Sequence, residues 1–493
     1  MRMTDLQRCE VRPGRLVEWT LDPATVDRAA DLPDDSRRPA YVQESHVRTA
    51  RSVRADGLFM PTWLGTAFDI PGAVDLDVLQ DALRNWTLRH ETLRSGFRWA
   101  GDEMRRFTFD AEAVSLRREV VGDFPDADKL VQRLQDRFDA VADALNWPNF
   151  LYTAVVRQDC TSVYLAFDHS NVDSYSLQRI PAEIHELYAA GLEGRAVERT
   201  PISSYIDFCE SERADADRID GTHAIVDRWR EFIKRCGGKL PEFPVDPGLD
   251  PAARMPTQKL MEERLVDADA AAAFEAYCRP FGGTLVGVLA ATSLIAHEIS
   301  GQPVYRTIVP FHTRVKSQWL DSVGWYVGGA PIEVPAARAR DFESALHCVR
   351  AELRANRSLA RMPIARVLRL LGSEFRPTSP DLYSIVSFVD ARGIVGSGRW
   401  TELKAYGLVR VSYGDKACAW VNRLHEGLRF AGRYPDTDVA AKNMRLYVER
   451  LRETVVAVAR HGAHVGGGSA VPRPRRVDTV SVEAVEAVGT AET

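Results

Sequence analysis

Val163–Tyr164–Leu165–Ala166–Phe167–Asp168–His169–Ser170–Asn171–Val172–Asp173–Ser174 is an apolar, strand-forming run that delivers a histidine at its end, with an aspartate four residues later. A histidine at a strand terminus has its ring outside the ladder, where it can face a cleft, and a nearby carboxylate can fix the local backbone or the ring. This is the arrangement a general base needs to take a proton from a bound alcohol or amine.

Spacing alone does not decide the matter, since chance supplies about one His-x-x-x-Asp pair in a chain of this composition. The sequence holds its own control, His223–Ala224–Ile225–Val226–Asp227. There the continuation, Arg228–Trp229–Arg230–Glu231–Phe232–Ile233, reads as one amphipathic helix. His223 is therefore expected in mid-helix, making an i,i+4 surface contact with Asp227. His169 is expected where a strand passes into a loop.

With 493 residues, the chain exceeds the size at which a single core stops growing, so two lobes are expected. A hydrophobic content of 45% supports large packed cores, and a net charge of −5 argues against nucleic acid as the main partner. The seven cysteines are scattered without a Cys-x-x-Cys pair, which suggests neither a zinc site nor a disulfide framework. No metal site is expected. The start lacks the apolar segment of a secretory signal, and the longest apolar stretch, Leu285 to Ala296, is too short for a membrane span. That stretch reads as a buried helix, and the chain as a cytoplasmic protein.

Leu76, Leu79, Leu83 and Trp86 share one face of a helix beginning near Asp75. Further helices are expected from 41 onward and at 127–145, 175–190, 202–214, 224–236, 269–278, 284–299 and 439–460. Strands are expected at 151–157, 162–168, 258–265, 304–311, 330–334, 383–390, 406–413, 417–424 and 427–433. The resulting division is an N-terminal lobe at 1–190 carrying the His-x-x-x-Asp motif, linker helices and a loop at 191–250, a C-terminal lobe at 251–465, and a disordered tail at 466–493. Helices mixed with strands in both halves give an α/β fold with mixed sheets.

Several segments, in order, resemble the superfamily of chloramphenicol acetyltransferase-like acyltransferases. It includes the condensation domains of nonribosomal peptide synthetases and the polyketide-associated acyltransferases of actinobacteria. Its signature, His-His-x-x-x-Asp-Gly, is matched by His169 and Asp173, while Asp168 stands for the first His and Ser174 for the Gly. Arg89–His90–Glu91–Thr92–Leu93–Arg94 resembles the family's Arg-His-x-x-Leu-Arg segment. Val323–Gly324–Trp325–Tyr326–Val327–Gly328–Gly329 is most similar to the polyketide-associated branch.

The resemblance implies two chloramphenicol acetyltransferase-like lobes, each a mixed β-sheet flanked by helices, with an active-site tunnel between them and His169 at its midpoint. It implies transfer of an acyl group from a thioester to an acceptor hydroxyl, directly, with His169 as base. The donor would be acyl-coenzyme A or a phosphopantetheine-bound acyl-carrier protein or polyketide synthase, so no resident cofactor is needed. Asp173 would be structural, pairing with an arginine of the other lobe, for which Arg314 is the candidate. His90 would support the first lobe, and His312 is an ordinary strand-end histidine. Asn171 and Ser174 would line the tunnel, and Ser384 and Ser387 would lie near the cleft to meet an oxyanion. The alternatives are an amide-forming condensation enzyme and a catalytically silent recruitment protein, suggested by the changes at Asp168 and Ser174.

Overall fold

The computed structural model describes residues 1–197, 201–250, 255–339 and 341–462. The expected tail at 466–493 lies outside the described residues. The chain forms two compact units. The first comprises Met1–Ile219, His312–Val327 and Gly393–Arg410, and the second Asp220–Phe311, Gly328–Arg392 and Val411–Thr493. Two segments from the region assigned by sequence to the C-terminal lobe thus belong to the first unit.

The first unit is built on a seven-stranded sheet. Its spatial order is Arg2–Thr4, Tyr406–Val409, Leu64–Pro71, Cys160–Phe167, Phe150–Val156, Gly14–Leu21 and Leu116–Phe124. Only the Arg2–Thr4 and Tyr406–Val409 pair is parallel. The strand Cys160–Phe167 is flanked on both edges and buried along its whole length. That is why it reads as a continuous apolar run: a strand covered on both faces has no reason to alternate. Tyr164 and Ala166 face a core that holds Leu130, Leu134 and Phe138, one stripe of the helix Ala127–Val141. On the opposite face Phe167 meets Trp86 of the helix Leu76–Arg89, ring centroids 5.7 Å apart.

Both helices begin on an aspartate. Asp75 accepts from the backbone N–H groups of Asp77 and Val78, and Asp126 from those of Asp128 and Lys129. Such caps satisfy donors that a helix start otherwise leaves unpaired. The expected break at Gly191 falls slightly early. The helix Ser174–Glu193 runs on and stops where Gly194 takes φ 65°, a left-handed turn that glycine accepts without penalty.

The second unit carries a four-stranded sheet ordered Val386–Asp390, Cys418–Leu424, Gly427–Pro435 and Gln258–Asp267, together with a pair made by Tyr305–His312 and Val327–Val334. The helix Thr284–Ser300 is buried on nearly every side, as its apolar sequence predicts, and lies in one core with Tyr447 and Leu451 of Asp438–Gly462. Among the described residues no single helix is long and apolar enough to cross a membrane. Two helices that the sequence reading left unassigned, Phe342–Ala355 and Ile364–Leu371, are also present.

The control histidine behaves differently from its expectation. His223 is the N-cap of Ala224–Arg235, its Nδ1 accepting from the N–H of Ile225 at 3.1 Å, and Asp227 pairs with Arg230. Its side chain has a cheaper use in closing the helix start than in an exposed i,i+4 contact.

Phe138→Ala empties a fully buried site and should cost about 3–5 kcal/mol. Gln132→Ala on the exposed face of the same helix should stay within about 0.5 kcal/mol, both read from denaturant unfolding.

Candidate active site

Position 169 is where the central strand runs out of partners. The N–H of Asp168 still bonds the Asn149 carbonyl at 2.8 Å, and the N–H of Asn171 bonds back to the Asp168 carbonyl at 3.1 Å. The chain therefore leaves the sheet in a tight turn with His169 at its start. Four residues on, Asp173 caps the helix Ser174–Glu193, accepting from the Ser176 N–H at 2.8 Å. Strand end and helix start fix the two signature residues from opposite sides.

Nδ1 of His169 lies 2.9 Å from the carbonyl oxygen of Val172. A carbonyl can only accept, so Nδ1 carries the hydrogen and Nε2 keeps its lone pair. The ring stacks on Trp325, centroids 3.9 Å apart and planes 27° from parallel. Burial, reinforced by the nearby His46, lowers the pKa of His169 to about 4, so the imidazole is neutral at pH 7.

Asp173 and Arg314 are in direct contact. Nη1 donates to Oδ2 at 2.6 Å and Nη2 to Oδ1 at 3.1 Å, the bidentate geometry favoured by a planar guanidinium. Asp173 also accepts from the Ser176 hydroxyl at 2.8 Å and the Tyr326 N–H at 3.1 Å. Arg314 donates to Ser176 Oγ at 2.7 Å and lies 4.1 Å from the centre of the Tyr326 ring. Both residues fall in the first unit, rather than on two lobes. With its oxygens so committed, the carboxylate holds the 312–327 segment in place and has no free geometry for moving a proton.

The other expected site residues have different fates. Asn171 is 3% exposed, its amide held by Asn149 at 2.6 Å and Thr92 at 3.1 Å. It braces the turn instead of lining a substrate path, because its polar atoms already have buried partners. Ser174 is half-buried and accepts from Gln178 at 3.0 Å within its own helix. Ser384 and Ser387 are buried in the second unit. The Ser384 hydroxyl is committed to the Ala417 carbonyl at 2.7 Å, which replaces an oxyanion role with strand packing. His90 is buried and bonded to Glu183 at 3.2 Å. His312 is exposed at the end of its strand.

Two participants escaped the sequence reading. One is Trp325, inside a segment quoted only for its resemblance. The other is His46 of the helix Tyr41–Ala55, whose Nε2 lies 2.9 Å from Oδ2 of Asp168. The signal for His46 was Asp168 itself: a carboxylate buried where the family carries histidine calls for a cationic partner. Among the described residues no group of three or more potential ligands could hold a metal ion.

The family model of the condensation domain matches residues 63–387, about two thirds of the sequence. The chain belongs to the condensation-domain family. It is similar to 2'-acyl-2-O-sulfo-trehalose (hydroxy)phthioceranyltransferase PapA1 of Mycobacterium tuberculosis (strain CDC 1551 / Oshkosh), with 26% identity over 468 residues, 93% of this chain and 89% of that protein. It is also similar to trehalose-2-sulfate acyltransferase PapA2 of the same organism and strain, with 27% identity over 93% of this chain and 97% of the relative. A solved structure of PapA2 acyl transferase superposes with a TM-score of 0.85 at 26% identity, covering 93% of this chain and all of that one. The two-lobed α/β fold expected from the resemblance is the fold of this family, and this condensation-domain chain is an acyltransferase.

Removing either partner of the Asp173–Arg314 pair leaves a buried charge uncompensated. Asp173→Ala and Arg314→Ala should each cost about 3–5 kcal/mol. The double variant should lose clearly less than their sum; additive losses in thermal or chemical unfolding would contradict direct coupling.

Proposed function

We propose that this condensation-domain chain moves an acyl group from a thioester, borne by coenzyme A or an acyl-carrier protein, to an acceptor hydroxyl, with His169 as the general base. The observation that carries this reading is the His169–Val172 contact. It assigns the hydrogen to Nδ1 and leaves Nε2 ready to receive another, and burial keeps the ring neutral. The acceptor O–H attacks the thioester carbonyl while its proton passes to Nε2. The tetrahedral adduct then collapses, the C–S bond breaks, and the departing thiolate takes the proton back. A thioester is already an activated electrophile, so positioning and proton transfer account for much of the task without a covalent acyl-enzyme.

Relatives named for trehalose acceptors support a hydroxyl of a sugar as the acceptor class. An amine could use the same base, because acceptor choice depends on shape around the base and not on the imidazole. A polyketide synthase or its carrier domain is the proposed source of a long acyl donor.

His169→Ala should lower acyl transfer by about 10²–10⁴-fold with little change in melting temperature, followed as free-thiol release from acyl-coenzyme A or acyl-carrier thioesters with a panel of alcohols and amines. His223→Ala, which removes only a helix cap, should retain wild-type turnover. A His169→Ala enzyme within about threefold of wild type would rule out the base role. No thiol release from the wild-type chain under any pairing would overturn the thioester donor.

A further inference from the structure

We propose that His46 is a positioning residue of the transferase site: anchored by Asp168 and set edge-on against Trp325, it presents its imidazole to the His169 ring and governs when that ring carries a proton. The proposal rests on His169 acting as the base and extends it to a residue from a different element.

Three contacts place His46. Its Nε2 meets Oδ2 of Asp168 at 2.9 Å, and the other oxygen of that carboxylate accepts from the Ser170 N–H at 2.9 Å. Asp168 is 1% exposed, so its charge has no recourse to water. The His46 ring stands at 88° to Trp325 with centroids 5.5 Å apart, and lies 6.4 Å from the His169 ring. Trp325 in turn stacks on His169. One indole thus touches both imidazoles, one at its face and one at an edge-to-face angle.

The two rings live in the same pocket under opposite influences. For His46, burial disfavours the cation but Asp168 outweighs it and the net shift is upward, with Asp143 adding in the same sense. For His169, burial and then the charge of His46 push downward, against a smaller upward pull from Asp168. The remaining charged neighbours are self-compensated: Asp143 pairs with Arg54 at 2.6 Å, and Asp173 with Arg314. While His46 carries its proton, the cation beside the base disfavours a second one on His169, giving up some basicity in return for availability under mildly acidic conditions. The replacement of the family's first histidine by Asp168 is then a relocation: the imidazole comes from the helix Tyr41–Ala55 and the carboxylate holds it charged.

The test is His46→Gln, which keeps an N–H for Asp168 and removes the charge. The acid limb of the kcat/KM profile should move to higher pH by roughly 0.5–1 unit, the size expected for a unit charge at this distance in an effective dielectric of about 40–80. A fall in turnover at every pH with the limb unmoved would mean that His46 only supports the fold, and would overturn the proposal. Histidine-ring NMR of the wild-type chain, with the two resonances assigned by their loss in His46→Gln and His169→Ala, gives a reading independent of turnover. An interval of pH in which His46 is charged and His169 neutral is expected; the reverse order of titration would overturn the proposal even if the glutamine variant failed to fold. Should His169→Ala retain full turnover, the base assignment fails by itself, while the order of titration still reports on the coupling of the two rings.

Discussion

A guanidinium with no exposed side-chain surface, Arg314, is forked onto the aspartate that starts the helix Ser174–Glu193. Everything around His169 depends on that contact. The same aspartate caps the helix and bonds the Tyr326 backbone, and Ser176 of the helix's first turn bonds Arg314 and the Gly324 backbone. Trp325 sits between those two anchored residues and is thereby held against His169. Gly324 is required there because any side chain would collide with the ring of Tyr205. The ion pair does little for stability that apolar packing could not do as well. Its value is geometric, since it fixes one segment against another to within hydrogen-bond tolerance.

The electrostatics of the site follow from burial and pairing rather than from composition. Two histidines in one pocket are driven apart in proton affinity because only one has a carboxylate in contact. His169 has a carbonyl on its other nitrogen, which fixes the tautomer but brings no charge. The lower proton affinity of His169 and the higher one of His46 thus follow from a difference of partner, carbonyl against carboxylate. This is how sites built from the same side chain acquire different roles.

Much of this was readable in the sequence wherever one element decided the outcome. The strand Cys160–Phe167, the caps and stripes of Leu76–Arg89 and Ala127–Val141, and the buried helix Thr284–Ser300 all follow from local pattern. So does the emergence of His169 from the sheet. What was not readable depends on contacts between distant parts of the chain. His46 and Asp168 are 122 residues apart, and no periodicity links them. The partners of Asn171 and Ser384 were hidden for a related reason: a polar side chain near a site in sequence can find a buried partner first, as both did. His223 was misread because its spacing to Asp227 suggested an i,i+4 contact, whereas the residue just before a helix start serves better as its cap.

The strand Tyr406–Val409 lies inside the first unit's sheet, between Arg2–Thr4 and Leu64–Pro71. During synthesis, then, the N-terminal sheet waits for a strand that begins at Tyr406, 239 positions after Phe167 ends the last of its other strands. Until they arrive, one edge of Leu64–Pro71 is unpaired and open to other chains. The two units therefore cannot be separated by a single cut in the gene. Any attempt to express the first unit alone must carry residues 312–327 and 393–410 with it, on linkers or by permuting the termini.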